Sequence, residues 1–329
     1  MTKIIAEIGV NHNGIIQRAF KLVKLAKNAG ADYVKLQIYS TDLLVTNYAR
    51  MSKYQKKTSL DFDNQYKMLK KFELSLEEHR KIIEYCKKIK ISYCASVFDV
   101  SGLNFLIKNK IKIVKIPSGE ITNKFLLEEL KKFKGLVLLS TGMSKLDEVT
   151  DAVNILKRNK NKFNLFYCCS SYPAPLKEID MNILLTLKKI YKCPVGYSDH
   201  TKDNNAAILA TLMGATFVEK HFTDNKKLSG PDHSASSDFK QLKQLTNKIN
   251  VFNHMLKSGI KIVTKSEIEN RVNSRKSIVA KNLILKGEKF SKKNLTIKRP
   301  GDGISPMKIN SLLGQKAKKI FLPDEQIKS

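Results

Sequence analysis

The chain contains no tryptophan, and only seven of its 60 basic residues are arginine. Its five cysteines (Cys86, Cys94, Cys168, Cys169 and Cys193) are scattered, odd in number and form no CxxC pair. That usage excludes a disulfide framework or a zinc knuckle and points to a reducing cytoplasm. No apolar run approaches the roughly 18 residues a membrane span needs. The first ten residues lack the charged, apolar and small-residue order of a secretory signal. A cytoplasmic protein without membrane contact is therefore expected. The scarcity of arginine also bears on the net charge of +30, which invites a nucleic-acid partner. Base readers use Arg forks and aromatic platforms, and neither cluster is present. The remaining 53 lysines are spread along the chain as a solvated surface. They favour anionic small molecules without choosing among them.

What is present is an ordinary globular composition, 42% hydrophobic and 27% charged over 329 residues. Short apolar, β-rich runs are expected as strands over 4–10, 33–39, 92–98, 113–117, 136–141, 164–170, 194–198 and 217–222. Between them apolar residues recur at three and four positions, as in Ile16, Ala19, Phe20, Val23 and Ala26, the mark of amphipathic helices. Strands apolar throughout and joined by helical crossovers mean a parallel sheet covered on both faces. Eight repeats count to a (β/α)8 TIM barrel over residues 1–258. An open doubly wound sheet is the alternative, but the glycine-rich phosphate loop it usually carries after the first strand is missing. Residues 259–274 read as a polar linker. Residues 275–329 read as a small β-rich module around Arg299-Pro300-Gly301-Asp302-Gly303, with too little core to be robust alone.

In such a barrel the reactive groups stand at the C-terminal ends of the strands. Those ends carry Glu7 to Gly14, Lys35-Leu36-Gln37, Ser96 to Asp99, Lys115 to Glu120, Ser140-Thr141-Gly142-Met143, Ser170 to Pro173, Ser198-Asp199-His200-Thr201 and Glu219 to Thr223. A structural core has no need of so many polar groups at one end. Two lysines and several hydroxyls converging on one mouth suit a multiply charged oxyanion, most simply a phosphate. His200 and His221 end adjacent strands and are close enough to share one metal ion, although two unrelated histidines fit the spacing equally well. Glu7, inside an apolar first strand, is costly to desolvate unless paired or functional. Glu120 is a candidate general base, and Asp199 a support for its neighbour rather than a catalyst.

Taken in order, Ala6-Glu7-Ile8-Gly9-Val10-Asn11-His12-Asn13-Gly14, Lys35-Leu36-Gln37, Lys115-Ile116-Pro117-Ser118-Gly119-Glu120, Gly196-Tyr197-Ser198-Asp199-His200-Thr201, Glu219-Lys220-His221-Phe222-Thr223 and Gly230-Pro231-Asp232-His233 resemble the motifs of sialic acid synthases. The tail around Arg299 to Ser305 resembles their antifreeze-like SAF domain, a β-clip. The resemblance implies a phosphoenolpyruvate-dependent transferase that forms a C–C bond. It joins phosphoenolpyruvate to an N-acetylated mannosamine-type hexose, giving a nine-carbon 2-keto acid and phosphate with C–O cleavage. It further implies a divalent metal, typically Mn2+ (Mg2+ or Co2+ otherwise), on His200 and His221. Phosphoenolpyruvate falls to Lys35, Lys115, Ser118, Ser140, Ser170 and Ser198; the sugar to Gln37, Tyr172, Asp232 and Arg299. Glu7 and Glu120 are the essential carboxylates of the pattern. Arg299 would come from the SAF domain of a second subunit, in a domain-swapped homodimer. Two departures fall near the substrate: Ser170 where some N-acetylneuraminate synthases have Asn, and Ala95-Ser96-Val97-Phe98 where a Ser-Thr-Pro-Phe-type segment stands in the family. The acceptor, mono- or di-acetylated, stays open, with legionaminic or pseudaminic acid synthase as the alternatives to N-acetylneuraminate synthase. Outside the class, a non-catalytic sugar-binding protein is the competing reading.

Overall fold

A computed structural model of the chain describes residues 1–59 and 62–328. It divides into two compact units, Met1–Lys257 and Ser258–Ser329. The first is a closed barrel of eight parallel strands in sequential order: β1 (Lys3–Gly9), β2 (Tyr33–Ile38), β3 (Ser92–Val97), β4 (Ile113–Ile116), β5 (Leu136–Ser140), β6 (Lys162–Cys168), β7 (Val195–Asp199) and β8 (Phe217–His221). All eight expected strands form, and closure through β1 and β8 removes the open-sheet alternative. The helices follow from their apolar spacing. Ile16–Asn28 buries Ala19, Leu22, Val23 and Ala26, and Leu76–Lys88 starts on a Ser75/Glu78 capping box and buries Ile82, Ile83 and Cys86.

Strand side chains alternate between two faces, and the two faces have different chemistry. Outward positions such as Ile4, Ala6, Val34, Leu36, Val114, Ile116, Val137, Leu139, Val195 and Val218 pack with the helices in one continuous core. Inward positions change character along each strand. At the N-terminal end Ile5, Cys94, Ile113, Leu138, Phe166 and Phe217 form an apolar plug. One step toward the C-terminal end the same stripe reads Glu7, Lys35, Ser96, Lys115, Ser140, Ser198 and Glu219, all buried. The apolar plug seals the barrel, so polar groups stacked on it form the floor of a pocket open at the other end.

A segment after β2 was not anticipated from the sequence. It carries short helices at Thr41–Leu44, Lys53–Thr58 and Gln65–Phe72. Its supporting cluster is Val10, Tyr39, Met51, Met68 and Phe72, and the Tyr39 hydroxyl donates to the Leu69 carbonyl at 3.0 Å. In the second unit β9 (Ser277–Ala280) pairs antiparallel with β10 (Leu295–Lys298), around a small core of Ile278, Ile284, Phe290, Leu295, Leu312 and Phe321. Further along the unit Ile284 meets Phe321 in an isolated antiparallel bridge. The stretch expected as an unperiodic linker contains a helix, Ile268–Ser274.

Gly196 marks the tightest point of the plug. A Cβ there would lie 2.8 Å from the Phe166 ring, and that ring carries the Lys115 ammonium 3.5 Å above its centroid. Gly196→Ala should therefore cost about 1–3 kcal/mol by overpacking, measured by urea unfolding, with only part of it regained on adding Phe166→Leu, which relieves the clash but removes the ring face beneath Lys115.

Candidate functional site

The floor of the pocket is an ion-pair network. Lys35 Nζ lies 2.9 Å from Glu7 Oε2 and 3.7 Å from Glu219 Oε1, and donates to Ser96 Oγ at 2.7 Å. Lys115 Nζ donates to Glu219 Oε2 at 3.1 Å, and Ser198 Oγ donates to Glu219 Oε1 at 3.0 Å. All four charged side chains are at most 6% exposed. Glu219 was quoted in the sequence motif but given no role; it is the group that joins the two lysines. Burial alone would raise its pKa, but Lys115 and Lys35 together hold it below the ordinary carboxylate value. Glu7 moves the other way, because its burial outweighs the pull of Lys35. The lysines also separate. Lys35, opposed by two carboxylates, is raised despite burial, whereas burial lowers Lys115 and Glu219 only partly restores it. Lys115 is thus the less compensated cation, the one with most to gain from an anionic ligand.

Above this floor lies a cavity of about 470 Å3. Of the residues expected at the site, Glu7, Lys35, Gln37, Lys115, Ser118, Glu120, Ser140, Ser170, Tyr172, Ser198, His200 and His221 all line it. Gly142 lets three of the loops meet: a Cβ there would lie 2.3 Å from Ser170 Oγ and 2.8 Å from Ser118 Oγ. Its backbone N–H donates to Ser118 Oγ at 3.1 Å. Asp232 lines a smaller adjoining cavity of about 110 Å3, which Gln37, Tyr172 and His221 share. Arg299 belongs to the second unit. There Ser277 Oγ donates to the Pro300 carbonyl at 2.6 Å and accepts from Gly303 N–H at 2.8 Å, fixing the turn that follows Arg299.

The sequence reading missed part of the cavity wall. Leu44, Val45, Ser52, Gln55, Gln65 and Leu69, all from the segment after β2, line the same cavity, and Phe98 joins them. Irregular spacing and short helices left no periodic signal to find. That wall presents amides and apolar groups and no charge.

Glu120 sits at the rim, half-buried, and its Oε2 accepts from Asn123 Nδ2 at 2.6 Å. Burial raises its pKa, the Asn123 hydrogen bond opposes that, and Asp99 adds to it. Asp199 does not support His200 directly; it pairs with Lys220 at 2.7 Å. Three of the other histidines are engaged within the fold, and His254 is exposed. His12 Nδ1 accepts from Gly14 N–H at 3.1 Å, His79 meets the Tyr93 hydroxyl at 3.1 Å, and His233 bridges Thr223 and Asn13 at 2.7 and 2.9 Å.

His200 and His221 stand with ring centroids 5.6 Å apart, and Tyr172 lies against both rings. His200 Nδ1 is 2.7 Å from the Cys169 carbonyl. A carbonyl only accepts, so the proton is on Nδ1 and Nε2 keeps its lone pair, with Ser198 Oγ 3.3 Å away. His221 Nδ1 is buried without a hydrogen-bond partner, with Asp232 Oδ2 3.8 Å away. Burial depresses both pKa values, which keeps both rings in the neutral, ligating form. Among the described residues no group of three or more His, Cys, Asp or Glu is arranged as a metal cluster. A neutral imidazole pair with one orphaned ring nitrogen fits a divalent ion that takes its other ligands from substrate and water.

Because Glu219 compensates two buried ammonium groups, Glu219→Ala should destabilise the chain by about 3–5 kcal/mol in urea unfolding at neutral pH. Glu120→Ala, at the rim, should cost under about 1 kcal/mol.

Residues 22–261 match the model of the NeuB family and residues 275–328 that of the SAF domain. The chain is 42% identical to the N,N'-diacetyllegionaminic acid synthase of Campylobacter jejuni over 99% of each chain. It is 40% identical to the synthase of the same name from Legionella pneumophila, over 95% of this chain and 89% of that one. Among solved structures, the N-acetylneuraminic acid synthetase of Leptospira borgpetersenii, in complex with citrate, superposes with a TM-score of 0.72 at 32% identity, covering 82% of this chain and 90% of that one. With a family match over most of its length and relatives of this identity, the chain belongs to the NeuB family of sialic acid-type synthases and ends in a SAF domain.

Proposed function

We propose that this enzyme condenses phosphoenolpyruvate with an N-acetylated mannosamine-type hexose, releasing phosphate and forming a nine-carbon 2-keto acid. One observation carries the reading. A single cavity joins a floor of two buried lysines and serine hydroxyls to a neutral histidine pair and an uncharged amide and apolar wall. The floor suits a compact polyanion. The wall suits an acetylated sugar without phosphate, since the described residues lining the cavity include no cation beyond Lys35 and Lys115. The two relatives near 40% identity act, by name, in making a di-acetylated acid, which favours a di-N-acetylated acceptor over a mono-acetylated one.

In this mechanism Lys35, Lys115, Ser118, Ser140, Ser170 and Ser198 hold phosphoenolpyruvate through its anionic groups and fix its enol carbon toward the sugar. Gln37, Tyr172 and Asp232 orient the open-chain sugar. His200 and His221 would hold a divalent ion, Mn2+ first, and when bound it supplies Lewis acidity toward the aldehyde oxygen. The enol carbon attacks the aldehyde carbon, the C=O π bond opens and its oxygen takes up a proton to become the product hydroxyl, and the cationic C2 that results takes up water. Glu120 accepts that water's proton at Oε1, since Oε2 is engaged by Asn123. Collapse of the tetrahedral centre breaks the C–O bond, and phosphate departs into the lysine and serine cradle. Glu7 keeps Lys35 in place between the phosphate and sugar sides. Arg299 of a second copy, in a domain-swapped homodimer, would meet the sugar's acyl group.

Incubating the enzyme with phosphoenolpyruvate, Mn2+ and a panel of mono- and di-N-acetylated hexoses, then weighing the products, tests the reaction. A nine-carbon 2-keto acid is expected, and phosphate release without a condensed product would refute it. Chelation should abolish turnover, Mn2+ should restore it, and His221→Ala should not respond to Mn2+. Arg299→Ala should raise the sugar KM at least about tenfold with little change for phosphoenolpyruvate. The pH profile follows from the raised Glu120: the base works as a carboxylate, so kcat should fall as pH drops through a midpoint above the ordinary Glu value. Asn123→Ala removes a hydrogen bond to the charged form and should move that limb up by roughly half to one pH unit; Asp99→Asn should move it down.

A further inference from the structure

The outward stripe of the barrel is built from Ile, Val, Leu, Ala and Tyr, and at one place it is interrupted. In the β7/β8 register Ser198 lies opposite Glu219 and Asp199 opposite Lys220. The first pair faces inward, where Ser198 donates to Glu219. The second lies on the other face of the same two strands, with side chains 0% and 2% exposed. Lys220 spends all three ammonium protons on one short segment: Asp199 Oδ2 at 2.7 Å, the Thr201 carbonyl at 2.9 Å and the Asp203 carbonyl at 2.6 Å. Asp199 Oδ1 in turn accepts from Thr201 N–H at 2.9 Å. Thr201 is thereby pinned at both its N–H and its C=O, and Asp199 at its carboxylate. His200 is the residue between them, and His221 is the residue after Lys220.

We propose that Lys220 is a positioning residue: a buried clamp that fixes the backbone bearing His200 relative to the backbone bearing His221. This rests on the reading of that pair as the metal and sugar end of the site. An apolar pair at these two positions would fill the same volume without the desolvation of two charges, but it would leave the Thr201 and Asp203 carbonyls and the Thr201 N–H without these partners. What the ion pair adds is directional. Three hydrogen bonds from one nitrogen leave the 199–203 segment a single arrangement, and the two imidazoles a single separation. The two lysines of the phosphate floor are held by Glu7, Ser96 and Glu219, and of the floor residues Ser198 alone adjoins the clamped segment, with its Oγ 3.3 Å from His200 Nε2, so the clamp should act mainly on the histidine end of the cavity.

The test compares wild type, Lys220→Met and the double variant Asp199→Leu/Lys220→Met, all as full chains. Lys220→Met leaves the Asp199 carboxylate buried without its counter-ion and should lower the melting temperature; the double variant removes that charge and should recover part of the loss. Mn2+ binding, followed by the free-ion paramagnetic resonance signal, should weaken about tenfold or more in both variants. The sugar KM should rise with it while the phosphoenolpyruvate KM stays within about threefold. Amide exchange over residues 199–203 should accelerate in both. If the double variant regains Mn2+ affinity together with stability, or if Lys220→Met leaves the affinity and the KM ratio unchanged, the clamp is structural only and the proposal fails. A wild-type chain that binds no Mn2+ overturns the metal reading of the histidine pair instead, and the KM ratio and exchange rates of the same variants then decide the clamp. Should Lys220→Met not fold, the double variant carries the comparison.

Discussion

Two ammonium groups and two carboxylates share the sealed end of a barrel, and the rest of the site is arranged around keeping them there. Charges at this depth survive only when each has a partner. Glu219 answers both lysines and Glu7 answers one, so the network is balanced in sign but uneven in strength. Lys115, supported by one carboxylate and the face of Phe166, is the group a phosphoryl anion would satisfy best. The floor is thus paired throughout, with Lys115 the cation least offset by its partners.

The barrel supplies this at little structural expense, because one strand offers two unrelated faces. The outward stripe can be uniformly apolar and hold the helices, while the inward stripe passes from an apolar plug to a polar floor within two residues, as from Ile5 to Glu7 or from Phe217 to Glu219. Seven of the eight parallel strands then deliver a polar side chain to one mouth. Loops finish the work: Gly142 permits the approach of Ser118 and Ser170, and the segment after β2 adds a wall that differs in kind from the floor.

Strands and helices were legible because both periodicities are strong and short-range: β1 to β8 all lie where apolar runs predict them. The polar strand ends were legible too, and twelve of the residues expected at the site line one cavity. Glu219 escaped notice because it stands beside the more suggestive His221, and its meaning lies in contacts with residues 104 and 21 positions away. Gln55, Gln65, Leu44 and Leu69 escaped because their segment has no period, only a small cluster that holds it to the barrel mouth.

By itself the sequence determined the alternation of strand and helix, the chemistry available at each strand end and the family to which the motifs belong, since all of these are written in local spacing. Which lysine faces which carboxylate, which imidazole nitrogen is free, and that Lys220 reaches back to bind the segment around His200 were decided only by the closed barrel. Closure sets residues far apart in the chain at hydrogen-bond distance, and burial then makes those few ångströms count for more than any preference a residue carries alone.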